Sequence, residues 1–292
     1  MTKVQAIFAT LLIVLISGVF SGLVASESNT FFNVPLFAII AASIFIIQWI
    51  AFIPAYKYQT EVFYDLTGSV SFLFAITLAL GLSESVSIYS LILAVLIGMW
   101  AVRLGSFLFN RVIQDGKDSR FDNIKPHFFT FLFAWTMQGF WVLITLSAAL
   151  AAMTSQRDTS LGYMFFSGLT IWCIGMLIEI TADNQKQAFR NDPENKGSFV
   201  DVGLWAHSRH PNYFGEILIW TGIAIIAFPA LSGWLYLTLI SPIFVTILLT
   251  KVSGIPMLEE KANERWGDDP NYQEYKAKTP LLVPSFTAYD KK

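Results

Sequence analysis

The chain has 292 residues, 54% of them hydrophobic and 14% charged, with a net charge of −2. Soluble domains carry about 25% charged residues, and the apolar excess lies in runs long enough to cross a bilayer, about 20 residues each. A soluble domain is excluded, and the single cysteine, Cys173, excludes an intrachain disulfide and a multi-cysteine metal site.

The expected fold is all-α: a polytopic membrane bundle of seven to eight helices, because open strands cannot satisfy their backbone in lipid. Spans are expected near 4–24, 32–53, 66–82, 87–110, 128–152, 162–182, 213–229 and 232–250. The first is read as a retained span, since Ser26-Glu27-Ser28-Asn29 after it is a weak cleavage site. The last two are parted only by Pro229–Gly233, so they form either a hairpin or one broken span. Charge decides for eight. With eight spans, 18 of the 19 Lys and Arg, from Lys3 through Lys117 to Lys292, share one side, and only Arg157 falls opposite. The positive-inside rule makes the basic side cytoplasmic. No soluble second domain is visible, so residues 1–292 read as one domain. Cys173 sits in an apolar run and reads as a small buried hydrophobe.

Glu61, Tyr64 and Asp65 stand at the edge of the third span. If that edge is helical they share a face, since residues three and four apart are neighbours. A carboxylate beside a phenol is a usable proton-donating group; interfacial anchoring by tyrosine is the competing reading. Arg103 lies at membrane depth in the fourth span, where a charge faces a cavity or a partner. Gln138 and Trp141 lie inside the fifth, where a polar residue also serves helix packing.

The sixth span ends in Glu179, Asp183, Lys186 and Arg190, a polar stripe at helical spacing. Beyond it, Gly203-Leu-Trp205-Ala-His207-Ser-Arg209-His210-Pro-Asn212-Tyr213-Phe-Gly215-Glu216 opens the next span, with Pro211 suited to a first helical turn. A basic, aromatic segment at a helix N-terminus fits an anionic ligand at the membrane surface. His207 and His210 lack a third strong metal ligand nearby, so no metal is expected. In the tail, Glu259-Glu260 either pairs with these basic residues or holds a ligand's hydroxyls.

The pattern Asn184-Gln185-Lys186-x-x-Phe189-Arg190, then Gly203-x-Trp205, then Arg209-His210-Pro211-Asn212-Tyr213-x-Gly215-Glu216, resembles the membrane sterol reductases and steroid 5α-reductases. The chain looks like a bacterial, largely uncharacterised branch of that superfamily. The resemblance implies a cytoplasm-facing NADPH pocket within residues 179–284 and a lipophilic substrate entering from the membrane. Carried over by position, Asp183, Asn184, Lys186, Arg190, Trp205, Arg209, His210, Asn212, Tyr213 and Glu216 would hold the cofactor. Lys186, Arg190 and Arg209 carry enough charge for a 2′-phosphate, and Trp205 or Tyr213 would stack on a ring. The implied reaction is NADPH-dependent reduction of a carbon–carbon double bond conjugated to a carbonyl in a steroid- or sterol-like lipid. Steroid 5α-reductases place a tyrosine where this chain has Trp100, which cannot donate a phenolic proton. The catalytic expectation therefore passes to Tyr64 with Glu61 and Asp65.

RHPxY is also similar to isoprenylcysteine and phospholipid methyltransferases, so an S-adenosylmethionine-dependent methyltransferase is the alternative. Membrane lipids and the lipophilic substrate are the expected partners, with no nucleic acid, in a bacterial inner membrane or endoplasmic reticulum.

Overall fold

The structure is a computed structural model that describes residues 1–115, 118–157 and 159–289. Lys117, Lys291 and Lys292, counted above on the basic side, lie outside the described residues. The helices are α1 (Lys3–Ala25), α2 (Leu36–Tyr58), α3 (Tyr64–Gly81), α4 (Ile88–Asp115), α5 (Phe128–Thr154), α6 (Tyr163–Asn191), α7 (Pro211–Ala227), α8 (Ile240–Ile247), α9 (Ile255–Trp266) and α10 (Pro270–Lys278). The strand content described is one short antiparallel hairpin, β1 (Thr30–Phe31) with β2 (Val34–Pro35). Among the described residues, eight helical stretches are long and apolar enough to cross a membrane. The fold is an all-α polytopic membrane bundle. The eighth stretch, Gly233–Trp266, is not one regular helix. It joins a 3₁₀ segment, α8, a π-helical turn at Leu248–Val252 and α9.

The chain divides into two compact units, Met1–Gly162 with Ala227–Ser241, and Tyr163–Ile226 with Pro242–Lys292. In the first, α5 is the core helix. Every residue from Val142 to Thr154 is buried, as expected of a helix that is apolar all round and packed on all sides. Polar side chains stitch its neighbours together: Gln48 Nε2 donates to Ser71 Oγ at 2.9 Å, and Trp49 Nε1 to Thr136 Oγ1 at 3.1 Å. Such interhelical bonds contribute about 0.6 kcal/mol each in a membrane bundle. Trp100 is buried, with Phe72 at 5.1 Å and Trp141 at 6.4 Å between ring centroids.

In the second unit, α6 and α7 meet through four glycines. A Cβ at Gly168 would lie 2.6 Å from the Gly222 carbonyl oxygen, and one at Gly175 would lie 2.6 Å from that of Gly215. Small residues allow this backbone approach, which packing in lipid rewards. The paired glycines fix the register of α7 on α6, and with it the site residues at their ends. Cys173 is exposed on α6 rather than buried. Along a span the outer face is as apolar as the inner, so hydrophobicity does not separate the two.

Candidate functional site

The sixth span continues as helix to Asn191, carrying the polar stripe beyond the apolar run. Glu179 and Asp183 are buried, Lys186 is half-buried and Arg190 is exposed. The stripe is therefore not simply a solvated helix end. Asp183 Oδ1 accepts a 3.3 Å hydrogen bond from Asn212 Nδ2 on the first turn of α7.

Residues 203–206 form one 3₁₀ turn that folds back on α6. Gly203 has φ +59°, and a side chain there would collide with Gln185. Gln185 Oε1 accepts from the Leu204 amide at 2.8 Å, and Trp205 Nε1 donates to the Ala182 carbonyl at 2.9 Å. Gly-x-Trp thus serves to dock the loop on the helix that bears Lys186 and Arg190. The Lys186 ammonium lies 4.6 Å from the Trp205 ring centroid, a cation–π contact.

Residues 280–289 strap down the next segment. The Arg209 amide donates to Pro280 O at 2.9 Å, Ser208 Oγ to Leu282 O at 2.8 Å, the Ser285 amide to His207 O at 2.9 Å and the Tyr289 amide to Ala206 O at 2.8 Å. His207 Nδ1 lies 2.9 Å from the Ser285 carbonyl, which can only accept, so this nitrogen carries the proton. His207 is thereby part of the strap. Pro211 begins α7, as its fixed φ favours.

Glu259 on α9 pairs with Arg209 through one carboxylate oxygen and lies 2.8 Å from His210 Nε2 through the other. Of the two roles open to the acidic tail pair, Glu259 takes the pairing with basic residues. The His210 ring stacks on Tyr213 with centroids 5.7 Å apart. Burial lowers the pKa of His210 below its ordinary value, against the opposing pull of Glu259.

These elements surround a cavity of about 440 Å³. Five of the sequence-nominated residues line it: Lys186, Arg190, Trp205, Arg209 and His210. Asp183, Asn184, Asn212, Tyr213 and Glu216 are not in its wall. Asp183, Asn212 and Tyr213 instead brace residues that flank it or form it. The wall also contains residues the sequence reading did not nominate, among them Lys196, Phe199, Glu259, Lys261, Arg265, Trp266, Tyr272 and Tyr275. The i, i+4 pair Lys261 and Arg265 was the available signal, a repeated cation on one face of a tail helix. Tyr275 Oη donates to Trp205 O at 2.7 Å, and burial raises its pKa. Six Lys or Arg side chains face the cavity against one carboxylate, Glu259.

Tyr64, Glu61 and Asp65 belong to the first unit and are tied into its structure. Glu61 precedes α3, so the helical edge that would give the three a shared face does not extend to it. The link from α2 turns through a left-handed Gln59, φ +52°, and leaves Glu61 outside α3, its carbonyl accepting from the Tyr64 amide at 2.8 Å. Glu61 is buried, pairs with Lys125 and accepts from the Asp118 amide at 2.9 Å. Tyr64 Oη donates to the Ala134 carbonyl at 2.8 Å, and Gln138 Nε2 donates to the Tyr64 carbonyl at 3.0 Å. Asp65 lies 3.9 Å from Arg120, which also pairs with Asp118.

A family model described as "Protein of unknown function (DUF1295)" matches residues 49–279. The chain is similar to 3-oxo-5-alpha-steroid 4-dehydrogenase 1 of Bos taurus, at 33% identity over 25% of this chain and 28% of that protein. It is 26% identical to the Rattus norvegicus protein of the same name, over 41% of each chain. It is also 27% identical, over 42% of each chain, to a protein of Ustilaginoidea virens named "Probable O-methyltransferase ustE". The chain thus spans less than half the length of these curated relatives, and no solved structure matches. With its family model covering residues 49–279, the chain belongs to the DUF1295 family and is related to the steroid 5-alpha-reductases.

Proposed function

We propose that the protein is an NADPH-dependent membrane reductase of a carbon–carbon double bond conjugated to a carbonyl in a lipid-like substrate. One observation carries the reading: six Lys or Arg side chains line the cavity against a single carboxylate, which Arg209 and His210 already engage. That lining suits a ligand with several negative charges. Arg matches phosphate oxygens in a bidentate fork and Lys as a point charge. The aromatic wall of Trp205, Phe199, Tyr272 and Tyr275 offers flat apolar surface for a base or ribose. The volume lies within the roughly 300–1,000 Å³ of small-molecule sites and suits the adenosine-phosphate part of a dinucleotide.

When bound, NADPH would supply a hydride to the β-carbon of the enone, with a proton at the α-carbon completing the reduction. Lys186, Arg190 and Arg209 would hold the phosphates, and Glu259 holds Arg209 and His210 in place. The excess of Lys and Arg on one side of the spans supports a cytoplasm-facing cavity. The steroid dehydrogenase relatives, named for a 3-oxo substrate, support the substrate class.

The match to a methyltransferase supports a second reading, an S-adenosylmethionine-dependent transfer to a lipid. A sulfonium cation is disfavoured among six cations, which ranks this reading second. Titrating the purified protein in detergent with NADPH and with S-adenosylmethionine separates the two. Binding of NADPH alone is expected; binding of S-adenosylmethionine alone would reverse the assignment.

A further inference from the structure

Two groups of cations line the cavity. In one, Lys186 lies over Trp205, and Glu259 shares its charge between Arg209 and His210. The other is Lys196, Lys261 and Arg265. Lys261 and Arg265 stand one turn apart on α9, on a common face. Trp266 Nε1 donates to the Gly197 carbonyl at 2.6 Å, which joins α9 to the turn that carries Lys196. Gly197 makes that turn with φ +92°. The Arg265 guanidinium rests 4.9 Å from the Trp266 ring centroid. Thus a specific hydrogen bond joins the two segments that supply these three cations to the cavity wall.

Among the described residues, no carboxylate lies within ion-pair distance of these three. Elsewhere Arg209 faces Glu259, Lys125 faces Glu61 and Lys278 faces Glu274. Converging like charges repel, and an anion relieves them. A phosphate monoester suits these three cations better than a diester. It carries about −1.5 to −2 charges at neutral pH and three terminal oxygens, against one charge and two free oxygens in a diester.

We propose that Lys196, Lys261 and Arg265 form a phosphomonoester subsite that takes the 2′-phosphate of the dinucleotide. This rests on the reductase reading above. It also moves the 2′-phosphate away from Lys186, Arg190 and Arg209, which are left for the bridging phosphates.

The test uses the full chain in detergent and two probes that differ only in the 2′-phosphate, 2′,5′-ADP and 5′-AMP. The wild type is expected to bind 2′,5′-ADP at least about tenfold more tightly. Lys261→Gln/Arg265→Gln should abolish most of that preference and leave AMP affinity unchanged. Lys196→Gln, on the other segment, should do so in part, and it keeps the test valid if the double variant misfolds. A preference that survives both variants, or is absent from the wild type, overturns the subsite. NADPH and NADH are titrated alongside. Equal affinity for both would remove the subsite and leave the reductase reading standing. Preference for S-adenosylmethionine over both would remove the reductase reading, and the 2′,5′-ADP arm would still decide the subsite. A lipid can present the same phosphomonoester. Displacement of 2′,5′-ADP by a lower concentration of short-chain phosphatidic acid, lost in the same variants, would overturn the nucleotide assignment.

Discussion

Glu259 Oε1 accepts a 2.8 Å hydrogen bond from His210 Nε2. An ionised carboxylate has no proton to give, so Nε2 carries the hydrogen. Its second oxygen holds the Arg209 guanidinium, so one residue of α9 orients two residues at the start of α7. Glu259→Ala should lower stability by about 1–3 kcal/mol, the usual cost of orphaning hydrogen-bonded polar groups. Thermal unfolding in detergent would measure it. The same variant should weaken NADPH binding although the cavity becomes more positive. Tighter binding would show that net charge, not the placement of Arg209, governs the site.

His210 gives a pH dependence of known sign. Burial holds its pKa below the ordinary 6.5, and Lys186 and Arg209 add to that depression. The folded state therefore keeps His210 neutral where the unfolded chain begins to protonate. Its contribution to stability is fully present above about pH 6.5 and is lost as pH falls through the lower folded value. The wild-type Tm should drop between pH 7 and pH 5 by more than that of His210→Gln. Parallel curves for the two proteins would place the acid sensitivity elsewhere.

The glycine contacts of α6 and α7 predict a position-specific cost. At Gly175 an added Cβ meets the backbone oxygen of Gly215, which cannot step aside as a side chain would. Gly175→Val should cost about 1–3 kcal/mol, the range for overpacking, and should disturb the cavity by moving α7. Gly18 in α1 has nothing within 4 Å of the same construction. Gly18→Ala is therefore the control and should be neutral or stabilising by about 0.5–1 kcal/mol. Equal losses of folded protein for both substitutions would refute the packing account.

The spans were legible in the sequence because length and hydropathy are local properties. Both registered directly in α1 through α7. The polar stripe of α6 was legible for the same reason, from spacing alone. The lining of the cavity was only half legible. Lys186, Arg190, Trp205, Arg209 and His210 lie close together in the chain and within one recognisable pattern. Lys261 and Arg265 reach the same cavity on α9, which Trp266 ties to Gly197 and Glu259 ties to Arg209 and His210, contacts across 49 to 69 residues that no local pattern encodes. The link before α3 shows the converse limit. Glu61 and Tyr64 have helical spacing, but Glu61 lies before the helix begins and turns to Lys125 and Asp118 instead.

That geometry bears on Tyr64. A proton donor to a developing enolate needs its hydrogen available at the reacting oxygen. Here the Tyr64 hydroxyl donates to the Ala134 carbonyl, and its ring packs 4.8 Å from Phe121 and 5.0 Å from Trp135 between centroids. The nearby Glu61 is neutralised by Lys125, and Asp65 faces Arg120. Each member of the trio thus has a partner that accounts for it structurally. Tyr64→Phe removes one hydrogen bond and keeps the ring, so it should lower stability by about 0.5–1.5 kcal/mol. Turnover should stay within about tenfold of wild type, whereas removal of a general acid costs about 10²–10⁴-fold. A kcat loss in that larger range, at unchanged NADPH affinity and with the folded fraction verified, would instead make Tyr64 the proton donor. It would also require the Ala134 bond to break during turnover. Tyr272 is the contrasting position, because it lines the cavity and its hydroxyl makes no hydrogen bond with the described residues. Tyr272→Phe should therefore act on cofactor binding or turnover with little effect on stability, the reverse of Tyr64→Phe.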